Sequence, residues 1–191
     1  MSWNEHNKII SSKIAKNMGI LNRASYLLPP KVRLTLYYSL IYPYLGYCNL
    51  IWASTYQSNL QRLTILQKRA VRFIAGTPYG SHTSKSFLEF KMLTVEQIRI
   101  AQVGEFMYRY EHNLLPAIYQ KLFLLTSEIH SYPTRSTKLY RQPFAHTNTR
   151  LFSIRFAGVK VWNDVPLWIR QLTALKIFKN KLRHYLIHQG N

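Results

Sequence analysis

SNLQRLTILQKRAVRFIAG, Ser58 to Gly76, decides how this chain is read. Leu60, Leu63, Leu66 or Gln67, Ala70, Val71 and Ile74 recur at the spacing that gathers side chains on one side of an α-helix. Gly76 stands where a left-handed C-terminal cap belongs. The opposite side carries Arg62, Lys68, Arg69 and Arg72. An ordinary solvated face also carries acids, and this one carries none. The stretch therefore predicts a helix that packs on one side and offers several phosphate contacts at once on the other.

The surrounding sequence extends that imbalance. Across 191 residues, 26 Lys+Arg face 7 Asp+Glu, for a formal charge of +19 and a sequence pI near 10.2. Such a surface attracts polyanions, nucleic acid first among them. The charge is also segregated. From His6 to Leu88 there are eleven bases and no acid, among them Lys8, Lys13, Lys16, Lys68, Arg69 and Arg72. Glu89 to Glu128 is near neutral, with five acids and four bases, and Ile129 to Asn163 is again acid-free with six bases. With 47% hydrophobic and 14% aromatic residues, the chain nonetheless has enough apolar material for a sizeable core, so disorder is not the default.

Periodicity works outward from Ser58 in both directions. Ser2-x-x-Glu5 is a capping-box pattern, and Ile9, Ile10, Ile14, Met18 and Leu21 follow at helical spacing, predicting a first helix that ends near Gly19 to Arg23. Pro30 fits the first position of a helix over Lys31 to Tyr42, which Pro43 kinks or ends. Downstream, Thr94-x-x-Gln97 opens an amphipathic helix to about Tyr110, with Glu96/Arg99 and Glu105/Arg109 spaced to pair across its turns. A short helix is predicted after Pro116. Residues 129–157, rich in Pro, Thr, Ser, Asn and Arg, read as loops with one small hairpin, prompted by the alternation Leu151-Phe152-Ser153-Ile154-Arg155-Phe156. Gly158 to Val165 reads as a helical turn ended by Pro166, and Thr173 to His188 as a basic closing helix. The expected fold is mainly α: a helical bundle over 1–76, a helical connecting region over 77–128, and a basic loop-rich region over 129–191 that ends in a helix.

Several functions are disfavoured by residue type. The chain holds one aspartate, Asp164, and no two acids lie closer than six residues, whereas a two-metal phosphoryl-transfer site needs several converging carboxylates. Glycosidase-type acid pairs fail on the same scarcity, and no P-loop, G-x-G-x-x-G or G-x-S-x-G occurs. No catalytic residue, metal ligand set or cofactor is therefore assigned to this chain. His184-x-x-x-His188 lacks a third ligand and reads as a solvated helix end. Cys48 is the sole cysteine, so no internal disulfide forms, and an intracellular, reducing setting is expected, with nucleus or cytoplasm left open. It lies among apolar residues and reads as core. LTLYYSLIYPYLGYCNLIW, Leu34 to Trp52, is almost long enough to span a membrane, but five tyrosines, Pro43, Gly46 and Asn49 favour buried short helices.

IHSYPTRSTKLYRQP, Ile129 to Pro143, carries three Lys or Arg, one histidine and two tyrosines, and no acid. Two readings stay open. Tyr132 and Tyr140 stack on unpaired bases while Arg135, Lys138 and Arg141 take phosphates, or the tyrosines pack onto the domain. Trp162, bracketed by Val159, Val161 and Val165, reads as an anchor for the last helix.

The succession SWNEHNKIISSKIAKNMGILNR, LYYSLIYPYLGYCNLIWA, LTILQKRAVRFIAG, IHSYPTRS, GVKVWNDVPLWIR and FKNKLRHYL resembles the C-terminal part of reverse transcriptases encoded by LINE-class, jockey-like non-LTR retrotransposons. The order and spacing of these segments from Trp3 to about Leu186, rather than any one of them, carry the resemblance. It implies that the first helices correspond to the thumb that grips a template-primer duplex, and the remainder to the region after it. It also implies that the catalytic aspartates, including a Tyr-x-Asp-Asp turn, belong to a palm domain, and no such motif occurs in these residues. On this reading Lys8, Lys13, Lys16, Lys68, Arg69 and Arg72 hold RNA or DNA phosphates, with Arg135, Lys138 and Arg141 as a second contact. The implied protein partner is a polymerase palm and fingers. The alternative is a scaffold that docks on the palm and binds no nucleic acid by itself.

Overall fold

A computed structural model of the chain describes residues 3–128 and 139–189, and it is mainly α-helical. The chain divides into two compact units, residues 1–99 with 184–191, and residues 100–183. This division cuts across the three-part reading of the sequence, because its boundaries fall inside two helices, Val95–Glu111 and Leu175–Gln189.

The first unit is built on helices α1 (Asn4–Ser25), α2 (Pro30–Leu40) and α5 (Gln57–Ala75), which touch one another pairwise. Between them lie two short helices, α3 (Tyr42–Gly46) and α4 (Asn49–Trp52). α1 buries Ile10, Ile14, Met18 and Leu21 of the periodic apolar set but leaves its first member, Ile9, exposed, and it runs to Ser25, slightly beyond the expected end. The proposed Ser2 cap lies outside the described residues. Pro30 occupies the start of α2 as expected, and the chain breaks at Ile41 before Pro43 enters α3. The apolar stretch from Leu34 to Trp52 is thus divided among three short helices, and among the described residues no helix is long and apolar enough to cross a membrane.

α5 buries both Leu66 and Gln67, resolving the ambiguity in its stripe. Gln67 is only 1% exposed, yet its amide is fully engaged. Nε2 donates to Tyr37 Oη at 2.9 Å and to the Leu93 carbonyl at 2.8 Å, while Oε1 accepts from the Val95 amide at 3.0 Å. Interior amides are tolerated where their bonding capacity is met in this way. α5 ends at Gly76, whose φ of 68° suits a residue without a Cβ. Arg33 reaches the same end, donating from Nη1 to the Phe73 carbonyl at 2.5 Å and from Nε to the Leu28 carbonyl at 2.8 Å. This arginine consequently caps a helix terminus.

After α6 (Ser84–Glu89), α7 (Val95–Glu111) opens with the expected reciprocal cap: Gln97 N donates to Thr94 Oγ1 at 3.3 Å, and Thr94 N donates to Gln97 Oε1 at 3.0 Å. Both predicted ion pairs form, Arg99 with Glu96 at 2.6 Å and Arg109 with Glu105 at 2.7 Å. Glu105 is additionally met by Lys179 at 2.8 Å.

The second unit contains the rest of α7, a 3-10 turn at Ala117–Tyr119, another at Thr126–Glu128, then α8 (Asn148–Leu151), α9 (Ile154–Asp164), α10 (Leu167–Arg170) and the first part of α11 (Leu175–Gln189). Trp162 is buried and lies 5.9 Å from the Phe178 ring, as its expected anchoring role requires. Gly104 on α7 is approached so closely by Leu182 that an added Cβ would lie 2.7 Å from its Cδ2. A larger residue there would require the Leu182 side chain to move aside.

The hairpin expected around Leu151 to Phe156 is absent, and these residues run from the end of α8 through Phe152 and Ser153 into α9. Ser153 adopts extended backbone, and its carbonyl accepts from the amides of Phe156 and Ala157 at 3.0 and 2.9 Å, starting a new helix. Val159, Val161 and Trp162 then become buried. Among the described residues, β pairing is limited to one antiparallel bridge, Leu125 with Tyr140.

Candidate nucleic-acid interface

The helical geometry of α1 fixes the direction of its lysines. At about 100° per residue, Lys8, Lys13 and Lys16 fall on the arc opposite the buried set, and all three are exposed. On α5 the same geometry places Arg62, Lys68, Arg69 and Arg72 together around the outward face, with exposed Ile65 among them. The expected bases of the first unit thus fall on two helix faces, Lys8, Lys13 and Lys16 on α1 and Lys68, Arg69 and Arg72 on α5.

Neither face carries only free cations. Lys8 pairs with Glu5 at 2.6 Å, both in solvent, where such a pair contributes little. Lys13 Nζ lies over the Tyr44 ring at 5.9 Å. Arg69 and Arg72 both sit over the ring of Tyr79, at 5.6 and 6.0 Å, while Arg72 Nε donates to the Ser81 carbonyl at 2.9 Å. Tyr79 is 84% exposed, and both guanidinium groups lie near its ring at the surface. These contacts orient the arginines while keeping their charge. Lys68 and Arg72 also line a cleft of about 440 Å³ whose walls include Ser81, His82, Thr83 and Gln97, a set of hydroxyl, imidazole and amide groups suited to phosphate oxygens.

The second expected contact is only partly visible. Arg135 and Lys138, with Tyr132 and His130, lie outside the described residues. Arg141 is exposed and follows the bridge residue, its amide donating to the Leu124 carbonyl at 2.8 Å. Tyr140 is not available for base stacking. It is 7% exposed, its ring packs at 5.8 Å from Phe123 and 5.9 Å from Tyr110, and its hydroxyl donates to the Glu111 carboxylate. Asn163 brackets its backbone, accepting from the amide at 3.3 Å and donating to the carbonyl at 2.9 Å. Burial first, then the bond to Glu111, raises the Tyr140 pKa well above the usual tyrosine range. Of the two readings of this tyrosine, the structure selects packing.

No protein-family model, curated protein or solved structure matches this chain.

The geometry alters other expectations too. Cys48 is exposed, at a φ of 49° just before α4, and is not core. His184 and His188 are both exposed with rings 4.4 Å apart, in keeping with a solvated helix end. Among the described residues no three His, Cys, Asp or Glu side chains gather closely enough to hold a metal ion. Sequence reasoning singled out Arg141 in the second unit but not the cations that gather with it. Lys121, Arg141, Arg150 and Arg155 line one groove of about 630 Å³ with exposed Phe144. Their separation along the chain concealed their proximity.

Proposed function

We propose that this chain is the non-catalytic, thumb and post-thumb part of a jockey-like non-LTR retrotransposon reverse transcriptase, and that it binds the backbone of a template-primer or target nucleic acid. The observation that carries the binding half is the acid-free outward face of α5, where Arg62, Lys68, Arg69 and Arg72 lie together and Tyr79 orients two of them. The resemblance of the sequence supplies the ancestry. Chemistry in such an enzyme would reside in a palm domain, and the role of these residues is to hold the duplex by its phosphates, without reading base edges. RNA-directed DNA polymerase describes the parent activity. An intracellular setting follows from that activity.

Binding through phosphates releases counterions, so affinity falls steeply with salt and little with sequence. Fluorescence anisotropy with an RNA–DNA hybrid at two salt concentrations tests this. A falling affinity with a slope set by several phosphate contacts is expected, and absent or salt-independent binding overturns the reading.

One observation favours the alternative, a scaffold that docks on a palm domain without binding nucleic acid. The first unit exposes Tyr26 at 85% and Leu27 at 86%, together with Ile9, Ile20 and Ile65. Scattered exposed apolar residues are ordinary, but neighbouring large ones mark contact surfaces. Aggregation of the purified chain, rescued by an upstream polymerase fragment and accompanied by no nucleic-acid binding, would select the scaffold.

A further inference from the structure

We propose that the groove of the second unit between Lys121, Arg141, Phe144, Arg150 and Arg155 is a binding site for single-stranded nucleic acid, with a base on Phe144 and phosphates on the four cations. The inference deepens the nucleic-acid reading above and rests on it, while naming a different site and a different substrate form.

Three features meet in this groove. Its floor is apolar: Phe123 and Val159 are buried there, and Leu122 and Leu124 continue it. Its rim is cationic, and among the described residues no acid lines it. Among the described residues Lys121, Arg141, Arg150 and Arg155 form no ion pair, unlike Lys8, Arg99, Arg109 and Lys179; Lys121 also borders a neighbouring cleft with Glu111 and Glu128, so the three arginines are the cations of this groove with no acid in its lining to offset them. Such convergence is unfavourable until an anion is present. Third, Phe144 is 72% exposed on the groove wall. Its ring meets His146 in a T-shaped contact with centroids 4.3 Å apart, and most of it stays open to solvent.

A duplex keeps its base faces stacked, so Phe144 could reach one only at the cost of unstacking a step. An unpaired strand offers both groups, a π-face for the ring and phosphates for the rim, which is the combination that sequence-tolerant single-strand sites use. The site is held in place by backbone pairing. Arg141 N bonds the Leu124 carbonyl at 2.8 Å and Thr126 N bonds the Leu139 carbonyl at 3.0 Å, tying two walls together.

The full chain tests this with a fluorescein-labelled single-stranded RNA of about twelve nucleotides, near the site size of known single-strand grooves, and an RNA–DNA hybrid of the same sequence. Phe144→Leu keeps apolar bulk and removes the ring, whereas Phe144→Trp keeps stacking. The expected result is that Phe144→Leu weakens single-strand binding about tenfold, as loss of one aromatic platform does. Phe144→Trp should retain binding, and the hybrid should respond little to either. Arg150→Ala with Arg155→Ala should lower both affinity and salt slope for the single strand. Wild-type binding that all these variants leave unchanged overturns the groove and leaves the proposed function standing. If the wild type binds neither probe, both fall. Loss of binding to phosphatidylserine vesicles in the same variants, with oligonucleotide binding intact, overturns the proposal in favour of a membrane surface.

Discussion

The outward face of α5 and the groove around Phe144 are both basic and both acid-free, yet their cations are held differently. On α5 the arginines are already in contact with the protein, Arg69 and Arg72 over Tyr79 and Arg72 on the Ser81 carbonyl. In the groove, the structure gives Lys121, Arg141, Arg150 and Arg155 no ion pair among the described residues. In a chain with so few carboxylates, arginines turn to carbonyls and rings, as Arg33 does at the end of α5. Cation density along the sequence therefore overstates the charge that is free to move onto a ligand, and the best-patterned helix is not the most available surface.

The largest test of this comparison removes the interior support of α5. Gln67→Leu leaves Tyr37 Oη, the Leu93 carbonyl and the Val95 amide without their partner, and stability should fall by about 3 kcal/mol, read as a lower urea midpoint. If the midpoint is unchanged, the buried amide is replaceable and the α5 face is not built on it. Next, the double variants Arg150→Ala/Arg155→Ala and Arg69→Ala/Arg72→Ala separate free from engaged cations. Both should weaken single-strand binding, the groove pair by about tenfold and the α5 pair by less, at equal salt. The reverse order breaks the comparison.

A smaller effect concerns the packed tyrosine beneath the groove region. Tyr140→Phe removes the hydroxyl that donates to Glu111, and since Glu111 is exposed, the loss should be about 1 kcal/mol. The folded pKa of Tyr140 is raised, so its contribution is fully present below the unfolded tyrosine pKa of about 10 and declines as pH rises above that value, when only the unfolded chain ionises. Tyr140→Phe should therefore flatten the alkaline fall in thermal midpoint while leaving neutral pH behaviour otherwise intact. An unchanged alkaline slope would place the titration elsewhere.

Smallest in stability is Lys121→Gly. Lys121 has a φ of 68°, a conformation costing a non-glycine residue about 1 kcal/mol, and glycine relieves that strain while adding comparable chain entropy to the unfolded state. The thermal midpoint should move little, while single-strand affinity drops a few-fold. Equal affinity would remove Lys121 from the rim.

Much of the fold was legible because its signals are local. Thr94 and Gln97 cap α7, Gly76 ends α5, Pro30 starts α2, and the apolar stripe of α1 is buried, each decided by residues a few positions apart. The failures are long-range or too short. The alternation from Leu151 to Phe156 gave way to helices once Val159 and Trp162 had a core to enter. Tyr140 looked like a clamp residue because the sequence cannot display Tyr110, Phe123 and Asn163, the groups that enclose it. The candidate site was half legible: the α5 bases share one helix face, whereas Lys121, Arg141, Arg150 and Arg155 come together only through tertiary structure. Cys48 was misplaced because apolar neighbours in sequence do not prevent a residue at positive φ from facing solvent.

Gln67 has a bearing on how α5 presents itself. An amphipathic stripe alone leaves a helix some freedom to roll, since leucines and valines fill a core in more than one rotational setting. Three hydrogen bonds from one amide to Tyr37, Leu93 and Val95 remove that freedom, because a roll of even one residue would break all of them and carry Lys68 inward. A neutral side chain in the interior thereby aims the charges on the outside, so the compass bearing of the basic face is written in an amide that no ligand would ever touch.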